Sequence, residues 1–125
     1  MNTKIRSHKD LIVFKCSFEL ALQIHQLSKS FPPEEKFSLT DQIRRSSRSV
    51  STNIAEAFRK RRYPKSFISK LSDSEGEAAE TQVWLSFAVA FGYLDEKITQ
   101  ELDEKYEQLE RQIITMIMSP EKWST

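Results

Sequence analysis

The chain has 125 residues, enough for one domain that buries roughly two thirds of the surface its unfolded form exposes. With two glycines, four prolines and 30% charged residues it favours long helices over many short strands, and its single cysteine excludes an intrachain disulfide. The net charge of +1 hides an internal division, because residues 41–70 carry nine basic and two acidic side chains, net +7, residues 71–125 carry net −8, and residues 1–40 net +2.

No apolar run of about 18 residues occurs, and the opening MNTKIRSHKD lacks the apolar centre of a signal peptide, so a soluble cytoplasmic protein without membrane contact is expected. Residues 1–9 are polar and basic and read as a flexible arm. Asp10 reads as the N-cap of a first helix in which Leu11, Phe14, Phe18, Ala21 and Leu27 form an inward stripe, with Ile12, Val13, Leu20, Leu22 and Ile24 widening the apolar surface beyond it. Phe31 with Pro32 and Pro33 ends that helix.

Ser38 with Asp41 reads as a shortened capping box for a second helix running to about Arg62. At 100° per residue Ile43, Ser47, Val50, Ile54 and Ala57 share its inward face, while Arg44, Arg48 and Arg59, flanked by Arg45 and Arg62, share another. Tyr63 and Pro64 make a short corner into a third helix that carries Phe67, Leu71, Ala78, Leu85 and Ala88 inward and stops at Gly92, with Gly76 read as a site of close packing. Asp95 caps a fourth helix, where Ile98, Leu102, Tyr106, Leu109, Ile113 and Met116 keep helical spacing up to Ser119 and Pro120. Four long helices with three short connections predict an all-α, antiparallel up-down-up-down four-helix bundle over residues 10–119, with 120–125 a frayed tail.

The segment VWLSFAVAF, Val83 to Phe91, is apolar at every position but Ser86 and points all the way round a helix. Together with the wide apolar surface of the first helix it predicts self-association, with Leu11, Ile12, Val13, Trp84, Phe87 and Phe91 as the subunit interface.

The segments DLIVFKCSFELA, SLTDQIRRSSRSVSTNIAEAFRKRR and ETQVWLSFAVAFGYL resemble the bacterial four-helix bundle family first noticed as proteins encoded in 23S rRNA intervening sequences. The most specific piece is DQIRRSSRSVSTNIAEAF, similar to the family's Asp-Gln-Ile-Arg-Arg, small-residue run and Asn-Ile-Ala-Glu-Gly, with Ala57 where Gly is usual. The resemblance implies a protomer that assembles into a ring, commonly a pentamer, and no enzymatic activity. The family also resembles the accessory subunit of diversity-generating retroelements, a pentamer that binds nucleic acid and a reverse transcriptase through positive surface. Its Arg-Arg pair maps onto Arg44 and Arg45, and its Asn and Glu onto Asn53 and Glu56.

Two readings of the basic face stand. Arg44, Arg45, Arg48, Arg59, Lys60, Arg61, Arg62 and Lys65 form a candidate nucleic-acid surface, since guanidinium forks match phosphate oxygens and a row repeated every turn can follow a backbone without reading sequence. Alternatively the acidic fourth helix, with Glu101, Asp103, Glu104, Glu107 and Glu110, neutralises those arginines within or between subunits, making the protein a structural or protein-binding oligomer. Concentration of charge at Arg59 to Arg62 beyond what pairing needs favours the first.

Ser46, Ser47, Ser49, Ser51 and Thr52 read as small residues that let a neighbouring helix approach, and Asn53, Glu56 and Glu80 as a structural polar network fixing helix register. His8, Cys16 and His25 lack metal-ligand spacing, and no Gly-rich phosphate loop or nucleophile elbow occurs. No catalytic residue, metal or cofactor is therefore assigned.

Overall fold

The computed structural model describes residues 5–124. Four helices follow one another, α1 (Ile12–Ser28), α2 (Leu39–Arg59), α3 (Pro64–Ala90) and α4 (Glu96–Met118), with single 3-10 turns at His8–Asp10, Pro33–Glu35 and Pro120–Lys122. Helix α2 packs against α1 and α3, and α4 against α3 and, more loosely, α1. The result is the four-helix bundle expected, with α2 and α4 on opposite corners. No described helix is long and apolar enough to cross a membrane.

Local chemistry sets each boundary. Proline at the first position of α3 has no amide hydrogen to leave unpaired there. Gly92, at φ +80°, takes the left-handed conformation that lets the amides of Tyr93 and Leu94 turn back to the Ala88 carbonyl, which closes α3. Asp95 accepts the amide of Ile98 at 3.2 Å and opens α4.

Two caps differ from expectation. Asp10 belongs to a capping box one turn earlier, where its carboxylate accepts the amides of Arg6 and Ser7, which lowers its pKa from the ordinary value. Helix α2 opens at Ser38 as expected, but the carboxylate that caps it is Glu35, not Asp41: one oxygen of Glu35 accepts the Ser38 hydroxyl at 2.6 Å and the Leu39 amide, while the other accepts the Tyr93 hydroxyl at 2.8 Å. A single carboxylate thus joins the α1–α2 connection to the α3–α4 connection.

The core is built from the expected faces of α2, α3 and α4. Ile43, Ser47, Val50, Ile54 and Ala57 are buried, as are Phe67, Leu71, Ala78, Leu85 and Ala88, and Leu102, Tyr106, Leu109, Ile113 and Met116; on α4 only Ile98 turns out to solvent, with Thr99 buried in its place. Helix α1 is rotated from expectation. Its buried stripe is Val13, Ser17, Leu20, Ile24 and Ser28, while Phe14 is half-buried and Phe18 lies outside. The two serines disguised that stripe, because each gives its hydroxyl to a carbonyl of its own helix, Phe14 and His25 respectively, and so enters the core already hydrogen-bonded.

Helix register is fixed by small hydroxyls. The hydroxyls of Ser46 and Thr81 share a hydrogen bond across the α2–α3 contact at 2.8 Å, each also within reach of a carbonyl of its own helix, Ile43 and Glu77 respectively; Ser17, which donates to the Phe14 carbonyl, accepts from Ser51 at 2.8 Å across α1–α2. Ser74 donates to the Val50 carbonyl at 2.8 Å. The expected network of Asn53, Glu56 and Glu80 does not form. Asn53 bonds the Ser49 carbonyl of its own helix, Glu56 pairs with Lys70 at 3.0 Å, and Glu80 accepts the Trp84 indole.

Two smaller expectations also change. A Cβ at Gly76 would meet nothing within 4 Å, so close packing does not account for that glycine. The C-terminal segment folds into a turn and sets Trp123 against the core, so it is not frayed through its described part; residues 1–4 of the expected arm and Thr125 lie outside the described residues.

Candidate nucleic-acid interface

The basic residues occupy two stretches. Arg44 and Arg48, one turn apart on α2, lean toward α1: the Arg44 Nε donates to the Ser28 hydroxyl at 2.7 Å, and an Nη of Arg48 lies 3.2 Å from Nδ1 of His25. An arginine can only donate, so Nδ1 accepts and the neutral ring carries its proton on Nε2. Desolvation, then the neighbouring charges of Arg44, Lys29 and Arg48, lower the His25 pKa below its ordinary value. Arg45 is exposed.

The second stretch is the corner that closes α2. The helix ends at Arg59, three residues short of expectation, and Lys60–Tyr63 turn through backbone bonds from Arg61 to Phe58 and from Tyr63 to Lys60. Arg59, Lys60, Arg62 and Lys65 are exposed. Arg61 is held down, its guanidinium 3.9 Å from the centre of the buried Phe58 ring and bonded to the Phe58 carbonyl. Cations here also complement the negative end of the α2 dipole. The eight candidates thus divide between α2, where Arg44 and Arg48 lean toward α1 and Arg45 is exposed, and a cluster at the end of that helix, and do not make one row.

Intramolecular neutralisation by α4 is excluded by topology, since the acidic helix stands on the opposite corner. Among the described residues the one ion pair within 4 Å is Lys70 with Glu56. The arginines of α2 therefore carry their charge to the protomer surface, as do Glu101, Glu104 and Glu107 of α4.

The expected subunit interface divides. Leu11 and Val13 are buried in the protomer core and cannot serve, because the first helix turns this side inward. Ile12 is 66% exposed, but it lies at the end of the bundle near Ile5 and Trp123. Trp84, Phe87 and Phe91 lie toward the other end and continue through Tyr93 into a ladder of rings with centroids 5.6 to 6.0 Å apart. Trp84 is half-buried, and Phe87 and Phe91 are 44% and 54% exposed. That ladder is one apolar ridge, seated on Phe31 through Tyr93.

Residues missed from the sequence sit beside Arg48. Phe14 and Phe18 stack at 5.8 Å on the outer side of α1, with His8 edge-on to Phe14 at 4.8 Å. Their spacing of four residues is visible in the sequence, where it reads as part of the inward stripe of the first helix.

The model of the 23S rRNA-intervening sequence proteins matches residues 9–115. A solved structure of a protein of unknown function from the S23 ribosomal protein family of Bacteroides thetaiotaomicron is similar at a TM-score of 0.77 and 30% identity, over 86% of this chain and 96% of that one. No curated protein matches. A match over most of the chain, the bundle architecture and the buried small-residue face of α2 agree, and the chain belongs to the 23S rRNA-intervening sequence protein family.

Proposed function

We propose that this is a non-enzymatic, cytoplasmic, homo-oligomeric protein that binds RNA or DNA phosphates through α2 and the corner that follows it. One observation carries the reading: the arginines of α2 have no carboxylate partner among the described residues, and the acidic helix stands at the opposite corner of the bundle. Guanidinium groups without a carboxylate partner gain most from phosphate oxygens, and copies in a ring, a pentamer in the family's usual pattern, would multiply the contact. The resemblance to the retroelement accessory subunit supports the same direction.

Fluorescence anisotropy with a labelled RNA over a salt series tests it. Affinity falls steeply with salt, and replacing Arg44, Arg48 and Arg59 by Ala reduces the log–log slope by about 2, as loss of three phosphate contacts on a single strand requires. An unchanged slope and affinity would remove these arginines from the interface.

A second reading draws on the exposed carboxylates of α4, which equally lack cation partners among the described residues. In it, α2 of one copy meets α4 of another. Reversing Glu104 and Glu107 to Lys would then disrupt assembly, whereas the nucleic-acid reading leaves assembly intact.

A further inference from the structure

Along the seam of α1 and α2 runs a cleft of about 550 Å³. Phe14, Phe18 and Leu22 supply an apolar wall, Arg48 faces them from α2, and His8 and His25 stand beside them. No carboxylate lines it. At Ala55 and His8 the cleft meets a second hollow of about 350 Å³ between Arg6, Arg59 and Arg61. The one carboxylate there, Glu56, is already paired with Lys70. The two hollows form a trough that is aromatic in one half and cationic in the other.

Neither half alone explains the other. An apolar helix laid on Phe18 would bring its low-dielectric surface against Arg48 with no carboxylate to compensate. Phosphates alone would make no use of a phenylalanine that is 51% exposed and held flat by its neighbour, the two rings inclined by 27°. A nucleotide has both parts, a flat base that gains from stacking on an open ring face and an anionic phosphate for the arginines. A duplex does not, since its bases are already stacked on each other.

We propose that this trough takes an unpaired nucleotide of a single-stranded nucleic acid, with the base stacked on Phe18 and the flanking phosphates on Arg48, Arg59 and Arg6. The assignment rests on the nucleic-acid reading above and adds to it a preference for single strands. Phe14 supports Phe18 from behind, and His8 supports Phe14 in turn.

The test uses the full chain with Phe18→Ala and Phe18→Trp, each sized by light scattering, against a labelled short oligouridylate and a short RNA duplex across a salt series. Phe18→Ala weakens oligouridylate binding by about tenfold to a hundredfold with an unchanged salt slope, and leaves duplex binding unchanged. Phe18→Trp restores or strengthens the single-strand binding. Equal loss on both probes, or no loss on either, overturns the proposal while the arginine surface stands. A change in assembly mass with Phe18→Ala overturns it too, by assigning Phe18 to a subunit contact. Wild-type protein that binds neither probe overturns the nucleic-acid reading and this proposal together.

Discussion

Glu110 has one carboxylate oxygen buried without a partner among the described residues. Burial, then the charges of Glu107, Glu75 and Asp103, push its pKa up to about 7 from 4.5. Below 4.5 the proton is bound in both folded and unfolded chains and stability is unaffected. Between 4.5 and 7 the folded chain keeps a proton that the unfolded chain releases, so stability is lost as pH rises through about 7. For a half-buried group in partial contact with solvent the loss is about 1–2 kcal/mol. Glu110→Gln should therefore raise stability at pH 8 by that amount and flatten the decline between pH 5 and pH 8, read from thermal melts. The sequence reading groups Glu110 with the acids of the fourth helix that could neutralise the arginines; nothing in the spacing shows that one of its oxygens turns inward beside three like charges.

At the scale of the element, Gly76 sits in the middle of the 27-residue α3, where a methyl group would meet open space. Gly76→Ala should stabilise the protein by about 1 kcal/mol in denaturant unfolding, because it removes backbone freedom from the unfolded chain without a steric cost in the helix. The inward faces of α2 and α3 were legible because a single stripe of apolar and small residues repeats there at helical spacing. Helix α1 was not, since it carries two apolar stripes about 100° apart and the buried one includes Ser17 and Ser28. The same error hid the stacked Phe14 and Phe18. Likewise the register bonds run through Ser46, Thr81, Ser17 and Ser51, whose partners stand on other helices and cannot be paired from one sequence. Asn53, Glu56 and Glu80 looked better suited by residue type, yet each finds a partner elsewhere.

At the scale of the whole molecule, the ridge of Trp84, Phe87, Phe91 and Tyr93 is the apolar surface that a second copy would cover in the proposed oligomer. Phe87→Asp with Phe91→Asp should reduce the particle to the 14.6 kDa monomer in light scattering, with the helical circular dichroism retained. The division of charge between corners was legible by counting; that the corners are opposite depended on the order of the helices around the bundle.

The placement of α2 and α4 has a geometric consequence for assembly. A contact that joins one corner of each copy to the opposite corner of the next is head-to-tail, and such contacts close into a ring when the rotation between neighbours divides a full turn and build open strings when it does not. Charge pairing between these helices, as in the second reading, would weaken as salt screens the exposed groups, so that such an assembly would come apart at high ionic strength. In the proposed oligomer, a subunit contact made by the aromatic ridge would leave the arginines of α2 and the carboxylates of α4 without charge partners among the described residues and open to other ligands.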